Sequence, residues 1–143
     1  MVSDTSSHVL VVDDDAAIRH TLRAVLEDEG YTVLEAADGG AALDLLRASP
    51  HPLVTLLDLR MPHVDGEAVL HAVVTDSRIA RHHAFALITA NPDAITPACE
   101  RYLAQLHAPV ILKPFDLDIL LDAVARASGW LAEDTNPHHT AHP

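Results

Sequence analysis

An open, doubly wound α/β sheet is the fold class this sequence predicts, and three observations predict it. Five short apolar runs punctuate the chain, at residues 8–12 (HVLVV), 31–36 (YTVLEA), 53–57 (LVTLL), 84–88 (AFALI) and 110–112 (VIL). Three of them are nearly unbroken Val, Leu and Ile, which suits parallel strands buried on both faces. Between the runs lie longer stretches with apolar residues at i, i+3, i+4 and i+7, the mark of amphipathic helices. The length of 143 residues and the 49% apolar fraction describe one ordinary globular domain with a real core. Five strands alternating with five helices build a parallel sheet with right-handed crossovers and helices on both faces.

Each element has its own warrant. Ile18, Leu22, Val25 and Leu26 form the stripe of the first helix, and Asp15 just before it reads as its N-cap. Residues 40–48 and 66–76 are shorter helical segments rich in Ala, Leu and Val. Ile95, Cys99, Tyr102, Leu103 and Leu106 make the fourth stripe, and Leu117, Leu120, Leu121 and Val124 the last. The loop 91–97 (NPDAITP) carries two prolines, which delay the start of the fourth helix. Residues 1–7 read as a flexible N-terminus and 8–128 as the domain, while 129–143 (GWLAEDTNPHHTAHP) reads as a polar, mobile tail.

Composition excludes several classes of function. Nine Lys and Arg against 21 Asp and Glu give a net charge of −12, which is no surface for nucleic acid. The single cysteine, Cys99, excludes a disulfide framework and a multi-cysteine zinc site, and its place on a helical stripe marks it as core. The apolar runs are far shorter than the roughly 20 residues that cross a bilayer, and the N-terminus lacks a signal peptide's basic start and apolar centre. The expected location is therefore the cytoplasm, with no membrane partner. The 11 histidines are scattered and read as solvated, with His82 and His83 in a loop before the fourth strand. His20 and His71 lack the helical bundle that a phosphate-donating histidine needs.

In a doubly wound sheet the functional crevice lies beyond the carboxyl ends of the strands. The first run is followed by Asp13, Asp14 and Asp15, the third by Asp58, the fourth by Thr89 and the fifth by Lys113 and Pro114. Carboxylates gathered on one rim repel one another unless a cation neutralises them. Mg²⁺ fits, because it keeps several waters and takes one or two carboxylates from the protein. A lysine and a hydroxyl aimed at the same point complete a pocket for a phosphoryl group, with an Asp as nucleophile.

The motifs VLVVDDD, LLDLRMPHVDG, LITA and ILKPF, in that order, resemble those of response-regulator receiver domains of two-component signalling, over about residues 8–128. The resemblance implies a flavodoxin-like, five-stranded parallel sheet of order 2-1-3-4-5. It implies Asp58 as phosphoacceptor, Asp13 and Asp14 as the acidic pair for Mg²⁺, and the backbone carbonyl of Arg60 as a further ligand. Thr89 would be the switch hydroxyl and Lys113 the phosphate-contacting lysine, followed by a cis peptide at Pro114. Pro62 and Gly66 would shape the loop after the phosphoacceptor, with Gly66 allowing a turn that other residues resist. Arg60 and Asn91 would flank the path of the hydrolytic water. The implied partners are a sensor histidine kinase or a histidine phosphotransfer protein, an unknown downstream protein, and a second copy of the chain paired through the last two helices and strand.

Three stretches depart from the family pattern, one of them the two-proline loop 91–97 before the fourth helix. Val110 stands where an aromatic is common, and 106–109 (LHAP) replaces a Gly-Ala-Asp turn. Two other readings share the residues. A small haloacid-dehalogenase-like aspartyl phosphatase would use the Asp-x-Asp spacing of Asp13 and Asp15, leaving LDLRMPHVDG unexplained; a degenerate receiver would serve only as a docking module.

Overall fold

The computed structural model describes residues 7–134. The strands are β1 (His8–Val12), β2 (Thr32–Ala36), β3 (Leu53–Asp58), β4 (Ala84–Thr89) and β5 (Val110–Leu112). The helices are α1 (Ala16–Asp28), α2 (Gly39–Ala48), α3 (Gly66–Val74), α4 (Ser77–His82), α5 (Pro97–Leu106) and α6 (Leu117–Asp134). All strand pairs are parallel, and the sheet order is β2-β1-β3-β4-β5. The doubly wound sheet and its order are those expected.

Alternation along the strands sorts the core into two layers. Val9, Val11, Val54 and Leu56 pack with Leu22 and Leu26 of α1 and Leu120 and Val124 of α6. Leu10, Val12 and Leu57 face the other way, onto Leu46 of α2, Leu70 and Val73 of α3, and Cys99 and Leu103 of α5. Cys99 is fully buried, as its stripe position required, and burial pushes its thiol up to about 11.

Capping chemistry sets the helix starts. The carboxylates of Asp15, Asp38, Asp65 and Asp76 accept backbone N–H groups at the first turns of α1 to α4, and the Thr96 hydroxyl does the same for α5. Gly30, with φ +97°, supplies the left-handed step after α1, where a side chain would be strained. His107 takes the same region, φ 54°, at the end of α5.

Four expectations need correction. Six helices are present among the described residues rather than five, because Asp76 caps a separate one-and-a-half-turn segment whose single buried residue, Ile79, leaves no periodic stripe to read. His82 ends that helix, and His83 is buried rather than looped out. The last helix runs six residues into the expected tail, to Asp134, because Leu131 is buried against the α1 and α6 face of the sheet. Ser7, assigned to the flexible N-terminus, accepts the Thr32 N–H at 3.0 Å and so adds a backbone bond between the start of β1 and β2. The expected mobility of residues 1–6 and 135–143 lies outside the described residues.

Candidate functional site

The strand order reverses between β1 and β3, and the site forms where those two strands end. Val12 pairs in register with Leu57, so Asp13, one residue on, stands beside Asp58, the last residue of β3. Asp58 pairs with Ile88 of β4, which places Thr89 at the same level. Thr89 in turn pairs with Leu112, so Lys113 leaves β5 at the same rim, and its N–H donates to the Thr89 carbonyl at 2.8 Å. Sheet register alone therefore gathers residues scattered over a hundred positions of sequence.

Carboxylate oxygens of Asp13, Asp14 and Asp58 all lie within 4.8 Å of one another. Asp13 is 4% and Asp58 8% exposed, whereas Asp14 faces solvent. Lys113 Nζ lies 3.4 Å from Asp58 Oδ1 and 3.6 Å from Asp13 Oδ2. The peptide bond from Lys113 to Pro114 is cis, as the resemblance implied. Asp13 is held by its own surroundings: its Oδ1 accepts the Asp15 N–H at 2.9 Å, and Arg19 Nη1 donates to its carbonyl at 2.8 Å. Arg19 and Arg23 both pair with Glu35, which holds that carboxyl below its usual range and anchors α1 to β2.

Burial raises the carboxyl of Asp58 above its ordinary value, and the neighbouring Asp13 raises it further, while the Lys113 ammonium pulls the other way. One lysine against three carboxylates leaves an excess of negative charge. This donor set suits a small, hard cation with oxygen ligands, because two buried carboxylates and one exposed one leave a face open to water.

Thr89 is 2% exposed, and its hydroxyl is engaged locally. It donates to the Asn91 carbonyl at 3.2 Å and accepts the Asn91 N–H at 3.1 Å. The Asn91 side chain accepts the Asp93 N–H at 3.0 Å and opens the 3-10 turn Pro92–Ala94, which with Pro97 accounts for the late start of α5. Arg60 is exposed and makes no ion pair among the described residues.

Gly66 is required for a reason the sequence did not suggest. Its φ lies outside the left-handed region, so no unusual turn is involved. A Cβ there would instead stand 2.6 Å from the Asp58 carbonyl oxygen and 2.8 Å from Leu59 Cα, both backbone atoms that cannot yield. The Gly66 N–H donates to the Leu59 carbonyl at 2.8 Å, which draws the first turn of α3 onto the loop after Asp58. Asp15 is the N-cap the sequence indicated, its Oδ1 accepting from Ala17 and Ile18. The phosphatase reading needed that carboxylate in the site.

Comparison with known proteins agrees with this geometry. The family model of the response regulator receiver domain matches residues 9–125. Response regulator MprA of Mycobacterium ulcerans (strain Agy99) is 34% identical over 142 residues, covering 90% of this chain and 61% of that protein. MprA of Mycolicibacterium vanbaalenii is 38% identical over 113 residues, 70% of this chain and 48% of its own length. The chain thus spans less than two thirds of these relatives. Among solved structures, a CheY-like receiver domain protein from Methanospirillum hungatei JF-1 superposes with a TM-score of 0.70 at 30% identity, covering 90% of this chain and 96% of that one. TrrA of Thermotoga maritima, solved in complex with Mg²⁺-BeF, gives a TM-score of 0.72 at 25% identity over 85% of this chain and 98% of its own. With nearly the whole described chain inside the family match and the sheet order in agreement, this protein belongs to the response regulator receiver domain family.

Proposed function

We propose that this chain accepts a phosphoryl group on Asp58 from a phosphohistidine of a sensor histidine kinase or a histidine phosphotransfer protein, with Mg²⁺ held by Asp13, Asp14, Asp58 and the Arg60 carbonyl. The observation that carries the reading is the contact of Lys113 Nζ with both Asp58 and Asp13 in a rim of three clustered carboxylates. An Asp58 carboxylate oxygen attacks phosphorus, the P–N bond to the donor imidazole breaks, and the imidazole leaves with the bonding pair and takes up a proton. When bound, Mg²⁺ supplies the positive charge that lets an anionic nucleophile approach an anionic phosphoryl group.

Lys113 stays within reach of the product and balances one phosphoryl oxygen as a point charge. Thr89 offers its hydroxyl to another, and to do so it gives up the bond it donates to the Asn91 carbonyl. The start of the Pro92–Ala94 turn is thereby loosened, which carries the signal toward α5. Val110 is 39% exposed and has no ring to swing inward, so the response is centred on residues 89–97 rather than on β5. The readout is a protein contact in the cytoplasm or onward phosphotransfer, with no nucleic acid and no membrane, and a second copy of the chain is a further partner. No helix among the described residues is long and apolar enough to cross a membrane.

Acetyl phosphate with Mg²⁺ is the direct test. Intact mass should rise by one phosphate, and Asp58→Asn should abolish the gain. Equal labelling of that variant refutes the assignment. Catalytic turnover of a phosphate monoester, in place of one stoichiometric acyl phosphate, would favour a phosphatase instead.

A further inference from the structure

At the pole of the sheet opposite Asp58 lies a cleft of about 530 Å³ between the end of α2 and the whole of α4. Leu46 and Ile79 contribute apolar lining, Arg47 and Arg78 cationic lining, and Ser49, Asp76, His82 and His83 complete the wall. Arg81 belongs to the same helix. The concentration of arginine here is anomalous in a chain with nine Lys and Arg against 21 Asp and Glu. Arg19, Arg23, Lys113 and Arg126 all pair with carboxylates, whereas Arg47, Arg60, Arg78, Arg81 and Arg101 pair with none among the described residues, and of these five Arg47 and Arg78 line this one cleft.

Helix dipoles explain part of this arrangement. Arg47 lies in the last turn of α2, and Arg81 in the last turn of α4, where positive charge is favourable. Arg78 is different. It stands in the first turn of α4, where a cation is disfavoured, and it lines the same cleft as Arg47. The one carboxylate in the lining, Asp76, accepts the Arg78 backbone N–H through Oδ1 at 3.1 Å and forms no ion pair with either guanidinium among the described residues. Ser49 is likewise closed on itself, its hydroxyl donating to the His51 carbonyl at 2.8 Å. The remaining unspent groups are two guanidinium forks facing one concavity of ligand size.

We propose that this cleft is a binding site for a small phosphate-bearing anion, held by Arg47 and Arg78 with His82 beside them. The site is independent of the phosphoryl chemistry at Asp58, because the six residues of β3 separate the two poles by about 17–20 Å. A tetrahedral phosphate group carries more oxygens and more negative charge than a carboxylate, so one such group can accept paired N–H bonds from two guanidinium forks at once.

Pyrophosphate without divalent cations is the probe, titrated into the full chain by calorimetry at low ionic strength. One saturable equivalent is expected, with shifts of the Arg47 and Arg78 side-chain resonances in NMR spectra. Arg47→Ala and Arg78→Ala should each weaken binding about tenfold. Both side chains are exposed, so unchanged thermal unfolding will show that the variants fold. Absence of saturable binding, or equal affinity in the double variant, overturns the proposal. So does an oligoglutamate peptide that binds the cleft more tightly than pyrophosphate, because the surface would then serve an acidic protein segment.

Discussion

His83 should control how the stability of this domain depends on pH. The side chain is 1% exposed and joins three elements. Nδ1 accepts the Leu53 N–H at 2.9 Å, where β3 begins, and Nε2 donates to the Leu46 carbonyl at 2.8 Å, near the end of α2. Both bonds require the neutral ring with its proton on Nε2, since a protonated imidazole has no lone pair to offer Leu53. Burial accordingly pushes the folded-state value down to about 4 from an ordinary 6.5.

The unfolded chain therefore binds a proton near pH 6.5 that the folded chain refuses until about pH 4. Stability is full above pH 6.5, falls as pH drops through that window, and levels off below it. Between pH 7 and pH 5 the loss from this one residue is about 2 kcal/mol. His83→Gln keeps one donor and one acceptor but cannot titrate, so its stability should fall by about 2 kcal/mol less than the wild type over the same interval. His83→Ala should cost about 3–5 kcal/mol at pH 7, from two orphaned backbone groups and a cavity. Urea unfolding followed by circular dichroism at both pH values measures all three. Equal pH slopes in wild type and His83→Gln would refute the reasoning, since the other histidines are common to both chains.

Three further outcomes follow from local geometry. Gly66→Ala should destabilise the fold by about 1–3 kcal/mol and slow acetyl-phosphate labelling, because its Cβ presses on the backbone of Asp58 and Leu59; wild-type labelling and stability would show that the loop gives way. Thr55→Val should stabilise by about 1–2 kcal/mol in urea unfolding, because the buried Thr55 hydroxyl has no hydrogen-bond partner and a methyl fills its place. Arg60→Asn should speed loss of the phosphoryl group, since a guanidinium can lie across the phosphoryl oxygens whereas an amide can orient a water. The decay of intact mass with time measures it, and an equal or slower loss removes the blocking role.

The sheet was legible because both-face burial leaves near-continuous Val and Leu, as in β3, where all six residues are buried. The site was legible for a related reason: a parallel sheet ends its strands at one rim, so Asp13, Asp58, Thr89 and Lys113 could be placed together from run endings alone. What stayed hidden were features that sequence periodicity does not encode. A six-residue helix with one buried side chain has no stripe, and the partners of His83 lie 30 and 37 positions away. The doublet His82–His83 carried a usable signal nonetheless, since it stands directly before a fully buried strand. Gly66 was identified by its place in a motif, but the motif cannot distinguish a glycine needed for its dihedral angles from one needed for space.

The geometry of Thr89 ties these levels together. In an isolated turn, a hydroxyl bonded to the backbone two residues on is an unremarkable local closure. Here the same hydroxyl stands at the rim where three carboxylates meet one lysine, and its own carbonyl accepts the Lys113 N–H. The backbone at position 89 is thus fixed by β5 while the side chain is held only by two neutral bonds of 3.1 and 3.2 Å. The proposed phosphoryl group on Asp58 would offer that hydroxyl a charge-assisted bond, roughly twice as strong as a neutral one. That exchange would break the bond Thr89 donates to the loop, while its carbonyl stays held by β5. A rigid backbone beneath a loosely held side chain would let a charge placed at one rim be read as a change in the loop beside it.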